Sequence, residues 1–236
     1  MPKLINAISV FFPAYNEEAN IQGTVEKARD HLMEIAEIWE ILVVNDGSKD
    51  KTKEIVESLH KKDPRIKLID HKDNQGYGAS LKSGLYNAQY PFIVFTDSDG
   101  QFDFSEVDNF IAKQKETGAD MVIGYYLDRK VSKMTILSSK VWELCVYVLF
   151  RLKVQDIDCG FKLISKKVVD GILKLESQRG AFISSELLIK AKKKGFKMVE
   201  IGVHHYPRKA GQGTGRKLSV IIQSFIDLFK LWLKLH

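Results

Sequence analysis

Residues 91–101, Pro-Phe-Ile-Val-Phe-Thr-Asp-Ser-Asp-Gly-Gln, limit the fold more than any other stretch of this chain. The apolar run has the length and composition of a buried strand, and it stops abruptly at two carboxylates, Asp97 and Asp99. In an open α/β sheet, ligands bind outside the carboxyl ends of the strands, so chemistry is expected at this point. Two carboxylates one residue apart, followed by Gln101, offer the hard oxygen ligands that Mg2+ or Mn2+ takes alongside substrate phosphates. The same Asp-Ser-Asp-Gly string also suits a β-turn.

The surrounding pattern is an alternation. Apolar runs at 7–12, 40–44, 66–69, 92–96, 119–124 and 198–203 read as strands. An amphipathic segment running to about 37, then segments at 50–61, after 74–78 through about 87, at 105–116, a rather apolar one at 135–150, and others at 166–174 and 183–194 read as helices. Asn16 is expected to cap the first helix, and Ser48 or Asp50 the second. Strand–helix alternation with short loops implies a mostly parallel sheet flanked by helices, an α/β fold. Right-handed crossovers then collect the loops after successive strands along one edge, which would gather Tyr15, Glu17, Asp46, Gly76, Asp97 and Asp99 in one crevice.

The segment 204–216 reads as a polar, glycine-rich loop, and 217–236 as a helix with a wide apolar face and a narrow polar stripe. That helix carries too many charges for a membrane span, so it is expected to pack on its own domain, on a twin subunit or flat on a lipid surface. The domain is thus expected over 1–216, with the amphipathic helix over 217–236.

A chain of 236 residues with 44% hydrophobic and 28% charged residues can bury a core without disulfides or a structural metal. Cys145 and Cys159 lack metal-ligand spacing, and residues 1–6 lack the apolar segment of a signal peptide, which reads as a reducing, cytoplasmic setting. Net charge is +6. The cations cluster late, at Lys190, Lys192, Lys193, Lys194, Lys197, Arg208, Lys209, Arg216 and Lys217, which favours anionic partners such as phosphates or a membrane surface. No nucleic-acid-binding motif accompanies them, so nucleic acid is not expected as a partner.

Three motifs in order carry a resemblance: residues 12–18 (Phe-Pro-Ala-Tyr-Asn-Glu-Glu), 43–48 (Val-Val-Asn-Asp-Gly-Ser) and 97–101 (Asp-Ser-Asp-Gly-Gln). With the intervening 74–78 (Asn-Gln-Gly-Tyr-Gly), they resemble the inverting family 2 glycosyltransferases of GT-A fold. Residues 156–163 (Asp-Ile-Asp-Cys-Gly-Phe-Lys-Leu) and 200–208 (Glu-Ile-Gly-Val-His-His-Tyr-Pro-Arg) are similar to segments of polyprenyl- and dolichyl-phosphate glucosyltransferases, and more loosely of dolichyl-phosphate mannose synthases. Two departures stand out. Asn45 replaces an acid that many members carry, and the C-terminal transmembrane helices of many members have no counterpart in this sequence.

The resemblance implies roles. Pro13, Tyr15, Glu17, Asp46 and Gly76 would line the nucleotide site, with Asp97 contacting the nucleotide or sharing the metal. Asp97, Asp99 and Gln101 would hold Mg2+ or Mn2+, which neutralises a departing diphosphate. Asp156 and Asp158 would serve the acceptor side; Asp158 reads equally as a loop acid. Arg208 and Arg216, flanking a glycine-rich segment, would close over phosphates, or else lie in a solvated loop. Without the resemblance, Glu17 is a first-turn helix acid and Gly76 and Gly78 an ordinary turn at a helix start.

The expected activity is metal-dependent, inverting transfer of a hexose from a UDP- or GDP-sugar to polyprenyl phosphate at the cytoplasmic membrane face. The alternative acceptor is a sugar or glycolipid hydroxyl. A nucleotidyltransferase would need a glycine-rich basic loop after the first strand, where 13–17 stands instead. A silent nucleotide-sugar-binding module would have no use for Asp97, Asp99 and Asp156 together. Peripheral membrane contact through Trp142, Tyr147, Phe150 and the last helix is expected, and homo-oligomers are compatible with that helix.

Overall fold

The computed structural model describes residues 3–128, 133–172, 174–177, 180, 182–208 and 218–235. Strand β1 (Ile5–Ala14) lies in the interior of the sheet, with its side chains buried on both faces. Val10 and Phe12 pack into one core with Ile21, Val25 and Leu32 of α1 (Ile21–Ile35). Phe11, between them, packs into a second core with Leu81 and Leu85 of α3 (Tyr77–Asn87). A strand buried on both faces must be apolar at every position, which is why this run shows no alternation. Gly84 of α3 lies so close to Phe11 that a Cβ there would sit 2.2 Å from the ring, so the glycine lets helix and strand meet.

The sheet has seven strands in the order β3 (Ile66–His71), β2 (Ala36–Asp46), β1, β4 (Phe92–Phe95), β6 (Lys162–Ser165), β5 (Met121–Tyr126), β7 (Met198–Val203). β1 runs parallel to β2 and β4, β2 to β3, and β5 to β7. β6 alone is antiparallel, paired with β4 on one side and β5 on the other. The mostly parallel sheet matches the sequence expectation; β6 does not appear among the predicted strands. Its four residues open with a lysine, and so short a run gives no period to read.

Helices α1, α2 (Thr52–Lys62) and α4 (Val107–Thr117) cover the first core. α3, α5 (Lys133–Phe150), α6 (Lys166–Gly171), α7 (Phe182–Lys193) and α8 (Leu218–Leu235) cover the second. One expectation is corrected. Asn16 does not cap α1, which begins at Ile21 after Asn20. Instead Asn16 adopts φ +56° and staples two loops: its N–H donates to Ser48 Oγ at 2.9 Å and its Oδ1 accepts from the Lys49 N–H at 2.8 Å. Trp142 and Phe150 pack against the second core, and the Trp142 indole N–H donates to Ser185 Oγ at 3.0 Å, leaving Tyr147 exposed of the three aromatic residues. An indole in a core needs such a partner, and α7 supplies it.

Helix α8 rests on α7 and α5, burying Leu228 and Leu231. Beneath it, Lys190 is not a surface cation: its ammonium lies 2.6 Å from Glu186 Oε1, both side chains being 2% exposed. Glu186 also accepts the N–H groups of Glu176 and Ser177. Burial pushes the Glu186 carboxyl up, but these bonds outweigh it and hold its pKa below the ordinary 4.5. Removing one member of a buried pair strands the other, so Glu186→Ala should lose about 3 kcal/mol in urea unfolding at pH 7. A lowered folded-state pKa contributes stability above 4.5 that is lost as pH falls, so the gap between wild type and Glu186→Ala should shrink in acid.

Candidate active site

The parallel strands all end on one edge, and antiparallel β6 begins there. The turn that precedes β6 therefore arrives beside the end of β4, although 59 residues separate Asp97 from Asp156 (156 − 97). Gly160 shows how tight the approach is: a Cβ on it would lie 2.3 Å from Asp97 Oδ2. Only a residue without a side chain lets the carboxylate rest against this turn.

Hydrogen bonds connect the edge from end to end. Asp46, buried at the end of β2, accepts the N–H groups of Gln75 at 2.9 Å and Gly76 at 2.8 Å, and pairs with His71 Nδ1 at 2.8 Å. It thereby holds the loop that starts α3. Gly76 takes φ +97°, a conformation open to glycine, and the next residue, Tyr77, donates its hydroxyl to Asp97 Oδ1 at 3.2 Å. The Pro13 carbonyl accepts from Ser98 Oγ at 2.7 Å, tying the ends of β1 and β4 together. Tyr15 lies half-buried in the loop after β1. Asn45 donates to Asp70 Oδ1 at 2.7 Å. An acid at position 45 would face Asp70 as a like charge, which accounts for the amide.

The metal-ligand candidates are engaged by the protein itself. Asp99 Oδ1 accepts the Gln101 N–H at 3.0 Å, and Asp99 Oδ2 accepts from the Arg208 guanidinium at 2.7 Å. The other arm of that guanidinium donates to Glu17 Oε1 at 3.1 Å. Gln101 is joined to Tyr206 twice, through Tyr206 N–H to Gln101 O and Gln101 Nε2–H to Tyr206 O, each 2.8 Å. Among the described residues no three His, Cys, Asp or Glu side chains form a cluster that could hold a metal. Asp99 nevertheless already stabilises one cation, and its hard oxygens fit Mg2+ or Mn2+ in a site completed by substrate phosphates.

Crowded carboxylates perturb one another. Burial, then the neighbouring Asp99 charge, pushes the Asp97 carboxyl up to about 7. Burial and the Asp97 charge push the Tyr77 phenol well above 10.0. Under the acids lies Lys162, wholly buried, with its ammonium donating to the carbonyls of Ile157 (3.1 Å) and Cys159 and standing 5.1 Å from the Phe95 ring centre. Burial lowers the Lys162 pKa, while the charges of Asp156, Asp158 and Asp97 oppose that. Asp156 is buried and accepts the Asp158 N–H at 3.0 Å; Asp158 is half-exposed.

With this geometry in view, the profile described as Glycosyl transferase family 2 matches residues 9–173. The chain belongs to that family. It is 30% identical to a dolichyl-phosphate beta-glucosyltransferase of Trichomonas vaginalis over 95% of this chain and 72% of that protein. It is 29% identical to the dolichyl-phosphate beta-glucosyltransferase of Dictyostelium discoideum over 84% of this chain and 65% of the other. Among solved structures, glucosyl-3-phosphoglycerate synthase of Mycobacterium tuberculosis, crystallised with Mn2+, UDP-glucose and phosphoglyceric acid, superposes with a TM-score of 0.69. That match has 18% identity and covers 98% of this chain and 79% of the other. Likeness at that identity is one of fold, and the fold is GT-A.

In this family 2 glycosyltransferase, Glu17, Asp97, Asp99, Gln101, Asp156 and Arg208 belong to the one edge reached by these contacts, with Asp46 and Gly76 bonded to each other at its far side. Arg216 and the glycine-rich segment lie outside the described residues. Tyr77, His71 and Lys162 join the edge without any motif in the sequence that assigns them a role. A lysine heading a short apolar run, four residues after Asp158, is the available signal for Lys162. Gly160→Ala would drive a methyl group into Asp97, and displacing a site carboxylate by about an ångström should lower kcat/KM about a hundredfold with the melting curve retained. Steady-state transfer assays beside a thermal melt check this.

Proposed function

We propose that this glycosyltransferase moves a hexose from a nucleoside diphosphate sugar to polyprenyl phosphate, with inversion, at a membrane surface. The observation that carries the reading is the contact of Asp97 with the 156–160 turn through Gly160, which joins a donor-type carboxylate pair to a second acidic loop. Glu17, Tyr15, Pro13, Asp46 and Gly76 serve the nucleotide; a carboxylate accepts from ribose hydroxyls or a base N–H. Asp99, with Asp97 and Gln101, would hold Mg2+ or Mn2+. The ion supplies Lewis-acid stabilisation of the departing diphosphate when bound. The Mn2+ and UDP-glucose complex of the fold neighbour supports this assignment.

The acceptor reading rests on the dolichyl-phosphate relatives. A phosphate oxygen, anionic near neutral pH, attacks the anomeric carbon opposite the leaving group. The new C–O bond forms as the bond to the nucleoside diphosphate breaks, and the electron pair departs with the diphosphate. No proton needs removal, so Asp156 orients the acceptor side and Asp158 assists it, while Arg208 and Arg216 counter phosphate charge.

Membrane contact has support in two helices. Leu137, Val141, Leu144 and Val148 of α5 recur at helical spacing and are each at least 46% exposed. Phe225, Ile226, Phe229 and Leu233 of α8 are likewise exposed. Phe225 meets Trp142 at 5.1 Å between ring centres, so the two helices adjoin. Among the described residues no helix is long and apolar enough to cross a membrane, and such faces suit lying on one. On this reading 1–216 forms the catalytic domain and 217–236 the docking helix.

The test is transfer from a panel of UDP- and GDP-sugars, with Mg2+ or Mn2+, to a short polyprenyl phosphate. Transfer to the lipid is expected, and Asp99→Ala should lower kcat at least about a hundredfold. Product on a sugar hydroxyl instead would move the acceptor assignment. Leu144→Glu with Val148→Glu should cut co-sedimentation with anionic vesicles at least about fivefold while transfer to a short, water-soluble acceptor persists.

A further inference from the structure

Arg208 occupies the carboxylates that a divalent cation would need. It bridges Glu17 and Asp99 with its two terminal nitrogens, its own side chain 23% exposed. The remaining Asp99 oxygen is held by the Gln101 N–H, and Glu17 Oε2 by Asn20 Nδ2 at 2.7 Å. Gln101 is tied to Tyr206, two residues before Arg208. One short segment after β7 therefore engages both Asp99 and Gln101. A guanidinium and a metal ion on the same carboxylate oxygen would stand a few ångströms apart as like charges in a part-buried site, where repulsion is weakly screened.

We propose that Arg208 is the resident counter-ion of the Glu17–Asp99 pair, and that it is exchanged for the divalent cation as the nucleoside diphosphate binds. The inference rests on the reading of Asp99 as a metal ligand and adds an order to it. Metal alone competes with Arg208. A diphosphate offers the displaced guanidinium an anionic, bidentate partner, so donor and metal favour each other's binding. Arg208 thus couples the two ligands.

The consequence runs against the usual effect of deleting a cation or anion partner: removing Arg208 improves one ligand and harms the other. Mn2+ binding to the full chain is measured by electron paramagnetic resonance of the free ion, with and without UDP, for wild type, Arg208→Ala and Arg208→Lys. Arg208→Ala should bind Mn2+ alone at least about fivefold more tightly than wild type, the lower end of ordinary coupling between sites. It should bind UDP more weakly, and UDP should raise its Mn2+ affinity less than it raises that of wild type. Arg208→Lys, which keeps the charge but cannot bridge both carboxylates, should fall between them and reports independently if Arg208→Ala does not fold.

Unchanged or weaker Mn2+ binding by both variants, with wild type binding Mn2+, overturns the exchange while leaving the metal site standing. No Mn2+ binding by any form, even with UDP, overturns the metal assignment and the exchange together. Failure of transfer to polyprenyl phosphate alone bears on the acceptor and leaves the Mn2+ result to be read by itself.

Discussion

Glu17, Asp97, Asp99, Asp156 and Asp158 converge on one sheet edge, and carboxylates drawn out of water raise each other's proton affinity unless cations stand near. Two cations answer this from opposite sides. Lys162 is buried beneath the acids in the sheet, its ammonium bound to the carbonyls of the turn that carries Asp156 and Asp158. Arg208 comes from beyond β7 and bridges Glu17 and Asp99. One cation is locked in the core and the other lies on a surface segment. The difference separates a permanent support from a group free to change partners.

The architecture that permits this is the reversal of a single strand. Had β6 run parallel, its preceding turn would lie at the opposite edge of the sheet, far from Asp97. Antiparallel insertion between β4 and β5 sends residues 156–161 to the carboxyl end of β4, and Gly160 lets the two loops touch. Acids from different halves of the chain thereby reach one sheet edge. Hydrogen bonds donated by Asn16, Ser98 and Tyr77 and accepted by Asp46 hold the loops of this edge together.

Much of this was legible in the chain. The runs that became β1, β2, β4 and β5 are strongly apolar, the mark that burial on both faces leaves on a strand, and the edge strands β3 and β7 are only partly buried. The Asp97–Gln101 and 12–18 motifs lie at strand ends, where a parallel sheet concentrates its ligands. What escaped has specific causes. Asn16 has the composition of a cap, yet its side chain found a more distant backbone partner in Lys49. The packing of Trp142 on α7, with its indole N–H on Ser185, has no local signal, because that partner lies 43 residues away. Lys190 reads as one of a basic cluster and is instead neutralised in the interior by Glu186.

By itself the sequence determined the α/β class, the places where strands end in acids and the family to which the chain belongs, because these follow from local composition and from motifs in order. Tertiary structure alone decided which acids meet which cations. The Asp99–Arg208 pair spans 109 residues and the Asp97–Gly160 contact 63 (160 − 97). Contacts at that separation depend on the order and direction of strands in the sheet. Strand order is set by how two cores pack on either face, and no local pattern encodes it.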